Sequence, residues 1–197
     1  ALYNYALCIH ETSYSPFAES VTVFERFLNE FPDSRYRERV NDYLVETYMN
    51  TRSYDAALKS IAKISKPGPR IMEAKQKILF RLGTQAFANA RFAEALQYFN
   101  RSLEVGQYNS SVKADTYYWR GEANYRLENY RNAGQDLRRY LELANNKRSQ
   151  EYGLAPSSLG YTDFKQKNYG SALNWFNRFV NGGMNDNRQV LADAYNR

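Results

Sequence analysis

The stretch from Gly121 to Leu137, GEANYRLENYRNAGQDL, contains the four positions that decide the fold of this chain. They are a small residue at Gly121, an aromatic residue at Tyr130, a second small residue at Ala133 and a large apolar residue at Leu137. All four positions recur in phase across five copies, at successive intervals of 37, 38, 38 and 39 residues. A period in this range indicates an array of stacked repeats rather than an enzyme with a single core.

The recurring residues form four columns. The first small column holds Cys8, Val45, Gly83, Gly121 and Gly160. The aromatic column holds Phe17, Tyr54, Phe92, Tyr130 and Tyr169. The second small column holds Ser20, Ala57, Ala95, Ala133 and Ala172, and the large column holds Phe24, Ile61, Phe99, Leu137 and Phe176. Small residues let two crossing helices approach closely. We therefore expect the aromatic residue to close the open end of each hairpin and the large residue to pack toward the next repeat.

The hydrophobic spacing between these columns is helical throughout. From residue 92, apolar side chains recur with a period near 3.6, at Phe92, Ala95, Leu96, Phe99 and Leu103. The pattern predicts eleven helices, near residues 1–12, 15–30, 35–50, 53–65, 70–88, 91–105, 111–127, 129–145, 149–167, 169–181 and 187–197. Asn129 and Asn168 are placed to cap helix starts, and Pro156 predicts a kink or a late start in the ninth helix.

Composition offers little support for catalysis. Cys8 and His10 are the only cysteine and the only histidine, and two residues apart on a helix they point to different faces. Cys8 lies in a small-residue column, so we expect it to be buried in packing. There is no glycine-rich phosphate loop, and one His with one Cys cannot complete a metal site. The sequence therefore predicts a protein that is not an enzyme and has no cofactor.

Charge and hydropathy constrain the partners. The formal net charge is +6, but the 27 basic and 21 acidic residues are interspersed along the chain. This distribution predicts a mixed-charge surface. No apolar run approaches the roughly 18–20 residues that a membrane-spanning helix needs.

The repeated positions resemble the tetratricopeptide repeat. The residues that carry the resemblance are Leu82, Gly83, Phe92, Ala95, Phe99, Tyr117, Gly121, Tyr130, Ala133, Leu159, Gly160, Tyr169, Ala172 and Phe176. The resemblance implies an all-α fold, an α-solenoid of five helix-turn-helix repeats wound as a right-handed superhelix. The usual repeat has 34 residues, so each first helix here is expected to gain a turn.

The repeats are expected near residues 1–34, 35–71, 72–109, 110–147 and 148–186, with a partial sixth at 187–197. We interpret residues 1–197 as one solenoid segment of a longer parent protein. Lengthened copies with motifs such as Arg139-Tyr140-Leu141 and Phe31-Pro32-Asp33-Ser34 resemble a bacterial cell-envelope subgroup, which includes outer-membrane-assembly lipoproteins and Tol-Pal accessory proteins. This implies a periplasmic or outer-membrane-associated protein. The cytoplasm stays open as an alternative, and membrane association could come through the parent protein.

The resemblance also implies a binding site. In tetratricopeptide repeats ligands usually lie against first-helix residues on the concave face. Carried onto this sequence, the face comprises Phe80, Thr84, Phe87, Tyr118, Glu122, Tyr125, Arg126, Tyr161, Phe164 and Lys165. Its aromatic residues predict a scaffold that binds a protein or peptide partner.

The runner-up hypothesis is a module that binds an anionic polymer, either nucleic acid or a surface glycan, with basic residues and aromatic platforms. Asp115 and Glu122 on the same face weigh against nucleic acid. The paired Lys and Asn with which some family members clamp a C-terminal carboxylate are absent, because the corresponding places hold residues such as Tyr118 and Glu122.

Overall fold

The computed structural model describes residues 1–12, 19–51 and 53–182, and these residues form helices connected by short turns. The ten helices are α1 (Leu2–Thr12), α2 (Glu19–Glu30), α3 (Arg37–Asn50), α4 (Tyr54–Ala62), α5 (Pro69–Ala88), α6 (Phe92–Val105), α7 (Ser110–Arg126), α8 (Tyr130–Leu143), α9 (Gln150–Lys165) and α10 (Tyr169–Asn181). The described residues contain no strand, so the all-α prediction is confirmed. The predicted helix at 187–197, like Phe17, lies outside the described residues.

The chain divides into two compact units, Ala1–Leu79 and Phe80–Arg197, and the boundary falls within α5. In the first unit a buried polar network joins three helices. The Ser60 hydroxyl on α4 hydrogen-bonds the carboxylate of Glu25 on α2 and lies 2.6 Å from the Tyr48 hydroxyl on α3. Glu25 and Tyr48 are both buried. Because buried polar groups are stable only when they are paired, this network fixes α2, α3 and α4 together.

In the second unit, glycines mark the places where the two helices of a hairpin cross. A Cβ atom added to Gly83 would lie 2.4 Å from the Phe99 ring, and one added to Gly160 would lie 2.5 Å from the Phe176 ring. At Gly121 the nearest atom would be Cγ of Leu137, at 2.9 Å. The close crossings predicted from the small column are thus present.

The large column packs both within its own hairpin and toward the next repeat. Phe99, Leu137 and Phe176 lie on the glycine of their own hairpin. Phe99 also shares a buried cluster with Ala123 of α7, and Leu137 shares one with Leu159 of α9, which agrees with the expected packing toward the next repeat. The second small column fits the same crossing, because the carbonyl of Ala133 would be 3.3 Å from a Cβ at Gly121. In these three hairpins the large side chain therefore fills the crossing at the glycine.

Three hairpin turns in the second unit share one backbone conformation. Ala90, Glu128 and Lys167 have φ values of 57°, 61° and 62°. At each turn this residue donates its N–H to the carbonyl three residues back, and the next residue donates to the carbonyl five residues back. This pair of bonds is a Schellman motif, in which the left-handed position favours glycine. Here non-glycine residues occupy it.

The Schellman motif also explains why two predicted caps are wrong. Asn129 and Asn168 precede α8 and α10, but neither side chain caps the helix. Both residues have nearly the same φ and ψ as Arg91 at the equivalent turn, so the turn sets this conformation. Side-chain caps occur instead at Asn109, which accepts from the Val112 N–H, and at Ser149, which accepts from the Tyr152 N–H.

Two further expectations need correction, the first of them in part. The α9 helix begins at Gln150, six residues before Pro156, so the expected late start is wrong, whereas the alternative of a kink stays a prediction. Proline in a helix interior removes one backbone hydrogen bond, and α9 continues to Lys165 in spite of that loss. Cys8 is exposed on α1 rather than buried.

The first prediction tests the close crossing at Gly121. Gly121→Leu should lower the free energy of unfolding by about 1–3 kcal/mol, because the added side chain meets Leu137. Gly170→Leu is the matched control, since nothing lies within 4 Å of a Cβ atom at Gly170. Urea unfolding followed by circular dichroism measures both variants, and equal stability of the two would contradict the close crossing.

The second prediction concerns the left-handed turn residues. Glu128→Gly and Lys167→Gly should each raise the free energy of unfolding by about 0.5–1 kcal/mol, because glycine adopts positive φ without a steric penalty. The control is Asn168→Gly, at a residue with a φ of −85°, which should give no gain. Thermal and urea unfolding of the three variants provide the comparison, and a loss of stability in the first two would show that these side chains matter more than their backbone strain.

Candidate functional site

The predicted face lies in the second unit, on the part of α5 from residue 80 onward and on α7 and α9. These helices are in contact: Ala86 of α5 and Ala123 of α7 belong to one buried cluster, and the ring centroids of Phe87 and Trp119 are 5.2 Å apart. Ser158 of α9 hydrogen-bonds the Glu122 carboxyl group of α7. The structure therefore brings the predicted first-helix residues onto neighbouring helices.

Tyr118 is a correction to the predicted face. Its side chain is only 5% exposed and belongs to a core cluster with Leu137, Tyr140 and Leu159. Its ring centroid is 5.2 Å from that of Tyr140. Because both faces of α7 near Tyr118 are covered by α8 and α9, the ring supports the fold and cannot anchor a ligand.

Three predicted aromatic residues form a repeated ring pair at the hairpin ends. Each stacks edge to face on the first aromatic residue of the following helix, with centroid distances of 5.2–5.5 Å and interplanar angles of 64–66°. The pairs are Phe87 with Phe92, Tyr125 with Tyr130, and Phe164 with Tyr169. This geometry is the favourable one for aromatic pairs. It confirms that the aromatic column closes the hairpin, and it leaves Phe87, Tyr125 and Phe164 half-buried.

The remaining predicted residues differ in exposure. Phe80 and Tyr161 are half-buried against the rings of Phe99 and Phe176. Thr84 is also half-buried, and its hydroxyl donates to the carbonyl of Arg81. Arg126 and Lys165 are exposed at the ends of α7 and α9. The solvent-facing groups of this face are therefore ring edges and two cations.

Carboxylates form a second feature of the same face, along the line where α7 and α9 meet. We call the set Asp115, Glu122 and Glu151 the carboxylate seam. Burial raises the pKa of Asp115, and the nearby Glu151 raises it further. Burial also raises the pKa of Glu122, against smaller opposing effects from the Ser158 hydrogen bond and from Arg126. The Oε1 atom of Glu122 is buried and has no hydrogen-bond partner in the part of the chain that the structure describes.

Arg120 of α7 and Arg138 of α8 are held in ion pairs with buried aspartates. Arg120 makes a bidentate ion pair with the buried Asp136, at 2.6 and 2.9 Å. Nη2 of Arg138 donates to both carboxylate oxygens of the buried Asp163, with both distances at 2.9 Å. In contrast, none of the seam carboxylates is in an ion pair within residues 1–12, 19–51 and 53–182.

Sequence reasoning placed Glu122 and Asp115 on this face but missed Glu151 and Ser158. Both missed residues lie on α9. Glu151 lies beside Asp115 of α7, and seven residues later on both helices Ser158 lies beside Glu122. The sequence signal was an equal spacing of seven residues, from Asp115 to Glu122 on α7 and from Glu151 to Ser158 on α9. This spacing indicates neighbouring side chains only when the two helices are known to lie side by side.

The described residues offer no support for two other kinds of site. They contain no group of three His, Cys, Asp or Glu side chains arranged to hold a metal ion. None of their helices combines the length and apolar character needed to cross a bilayer.

Comparison with known proteins agrees with the fold. A family model described as tetratricopeptide repeat matches residues 114–147, which contain most of α7 and all of α8. No curated protein matches the chain in sequence. Among solved structures, BtubC (BKLC) from P. vanneervenii is similar at 13% identity and a TM-score of 0.56, covering 98% of this chain and 78% of that chain.

Two further solved structures are similar over most of their length. MamA shares 18% identity with a TM-score of 0.47, covering 87% of this chain and 91% of that chain. A tetratricopeptide repeat protein from Parabacteroides merdae shares 18% identity with a TM-score of 0.48, covering 98% of this chain and 71% of that chain. At these identities the likeness extends to the fold alone.

The third prediction follows from the raised pKa of Glu122. When the pKa of a carboxyl group is higher in the folded than in the unfolded chain, the free energy of unfolding falls with rising pH. The fall begins near the ordinary pKa of 4.5 and continues through the pKa of the group in the folded chain. Glu122→Gln removes the ionising group, so it should raise the free energy of unfolding at neutral pH by about 1 kcal/mol and flatten its pH dependence. Urea unfolding between acidic and neutral pH measures the effect.

Glu142→Gln is the matched control for this measurement, because the Glu142 side chain is 62% exposed and pairs only with Arg139. It should follow the pH dependence of the unaltered chain. A Glu122→Gln variant that is less stable than the unaltered chain at neutral pH would show that the carboxylate is favourably solvated or paired in the folded state.

Proposed function

We propose that this chain is a non-enzymatic scaffold that binds a peptide or protein segment along α7 and α9. Tetratricopeptide repeats generally serve as protein–protein interaction scaffolds, and residues 114–147 match that repeat. The observation that carries the proposal is the repeated ring pair at the hairpin ends. Tyr125 and Phe164 expose part of their rings beside the cations of Arg126 and Lys165.

The chemistry of this face suits an extended segment. Ring edges at Tyr125 and Phe164 bury apolar side chains of a ligand, while flanking charges fix its register. The rings are already held in fixed positions by their partners Tyr130 and Tyr169. A preorganised surface of this kind loses little side-chain entropy when a ligand binds.

Binding of an anionic polymer is the alternative function, and the carboxylate seam opposes it. A polyanion laid along α7 and α9 would meet the half-buried Asp115 and Glu151, neither of which is in an ion pair among the described residues. Like charges brought together in this way weaken association. Location in a bacterial cell envelope stays a prediction, which fractionation of cells expressing the parent protein tests.

The fourth prediction tests the ring pair as a binding element. Peptides selected from a displayed random library against the chain should lose about 2 kcal/mol of affinity for Tyr125→Ala, because the variant removes one ring of the face. Tyr108→Ala is the control, since Tyr108 is 43% exposed in the turn between α6 and α7. Isothermal titration calorimetry measures both affinities, and circular dichroism checks that the helices persist.

Salt dependence separates the two functions in the same experiment. Peptide binding through rings changes little with ionic strength, whereas binding to a polyanion weakens steeply because counterions are released. A ligand whose affinity is unchanged by Tyr125→Ala and collapses as salt rises would favour the anionic polymer.

A further inference from the structure

A polar cavity of about 400 Å³ is lined by residues of α6, α7 and the start of α8. Its charged groups are the guanidinium of Arg120 and the carboxylate of Asp136, and Leu96 contributes an apolar side chain. The rest of the lining consists of side-chain carboxamides, those of Asn100, Asn124, Asn129, Asn132 and Gln135. None of these residues belongs to the predicted ligand face, so the cavity is a separate candidate site.

The fourth repeat departs from the others at the two charged positions. The residue before the first small column is Arg120 in the fourth repeat and leucine in the other four, at Leu7, Leu44, Leu82 and Leu159. Three residues after the second small column, the fourth repeat has Asp136 where the third and fifth have Tyr98 and Trp175. Replacing a buried ion pair by apolar side chains of similar size is often neutral or stabilising. Stability therefore does not explain this exchange, and a role in recognition does.

The ion pair is fixed in the buried part of the cavity. Arg120 makes two hydrogen bonds to Asp136, and Nδ2 of Asn124 donates to Oδ2 of Asp136 at 3.1 Å. Nη1 of Arg120 also donates to the amide oxygen of Asn100, at 2.9 Å. Asn124 and Asp136 are 6% and 5% exposed. Because these bonds join α6, α7 and α8, the polar groups here are held in place before a ligand arrives.

The solvent-exposed part of the cavity offers amides that are outside any hydrogen bond. Asn129, Asn132 and Gln135 are exposed, and their side chains form no hydrogen bond within the described ranges 1–12, 19–51 and 53–182. Their spacing of three residues places them as neighbours along the start of α8. Each amide has two donor hydrogens and an acceptor oxygen. This part of the cavity can therefore both donate to and accept from a ligand.

We propose that this cavity binds a neutral saccharide, a function beyond the binding of a peptide. Each sugar hydroxyl donates and accepts hydrogen bonds, and two neighbouring hydroxyls can bond the oxygen and the nitrogen of one carboxamide. The volume lies within the roughly 300–1,000 Å³ of small-molecule sites.

The composition of the lining selects against other ligands. The charges of Arg120 and Asp136 cancel in their ion pair, so the lining has no net charge with which to attract an anion or a cation. A peptide segment would bring apolar side chains, for which the lining provides little beyond Leu96. A neutral ligand with many hydroxyl groups meets both conditions.

A printed array of neutral and acidic oligosaccharides, probed with the fluorescently labelled full chain, tests the class of ligand. We expect binding to neutral oligosaccharides that stays unchanged as ionic strength rises, because no net charge contributes to it. Binding confined to acidic oligosaccharides, or binding to none, would overturn the proposal.

Two single variants locate the site by calorimetric titration with the neutral oligosaccharide that binds best on the array. Asn132→Ala and Gln135→Ala should each weaken binding about fivefold through the loss of hydrogen bonds to the sugar. Thermal unfolding should be unchanged, since neither side chain forms a hydrogen bond among the described residues, and a merely structural role would not weaken binding. Asn174→Ala is the matched control, because Asn174 is exposed at the position of the fifth repeat that corresponds to Gln135.

A double variant tests the ion pair. Arg120→Leu/Asp136→Tyr introduces the residue types that the third repeat has at these positions. It should keep the helical content in circular dichroism and weaken binding of the same oligosaccharide at least tenfold. Undiminished binding in both amide variants would place the saccharide elsewhere and overturn the proposal, whether or not the double variant folds.

Discussion

The close crossing of the two helices in each hairpin is the constraint on which the rest of the second unit depends. Phe99 and Phe176 lie on Gly83 and Gly160 at distances that leave no room for a methyl group. The packing is therefore specific to glycine, because any side chain there would separate the helices and uncover the ring. With the crossing fixed, the short Schellman turns that follow α5, α7 and α9 hold the next aromatic residue against the preceding helix. The faces that remain open on α7 and α9 are set by this geometry.

The sequence was sufficient to predict the helices, the close crossings and the ring that closes each hairpin, because the four columns repeat with one phase. The contact of Phe99 with the glycine of its own hairpin could not be predicted, because a period shows that Phe99 recurs but not that it touches Gly83 as well as the next repeat. The caps expected at Asn129 and Asn168 failed for a related reason. Conformation there is imposed by the left-handed residue before each of them, so a residue type favoured at caps has no capping role. Tyr118 was misplaced because α7 packs on α8 and on α9 at once, and helical spacing alone does not distinguish a covered side from an open one.

At the candidate site too, the sequence predicted which residues are present but not which residues they contact. The acidic residues of α7 were visible in the sequence, whereas their lack of neutralisation was not. Arg120 lies two residues from Glu122 and in a linear view could pair with it. In the fold Arg120 points away to the buried Asp136. Glu151 becomes part of the site only because α9 lies beside α7. The balance of charges at a surface therefore depends on how the helices pack, and it cannot be deduced from the net charge of the chain.

The rings of this face serve stability and the proposed recognition together, whereas its buried acids lower stability. Tyr125 and Phe164 close hairpins while exposing their edges. Asp115 and Glu122 are in no ion pair among the described residues, and burial raises the pKa of both, so their ionisation lowers the stability of the folded chain as pH rises. Protonation of these acids therefore stabilises the folded chain, and a ligand that buries the ring edges would add stability through linkage.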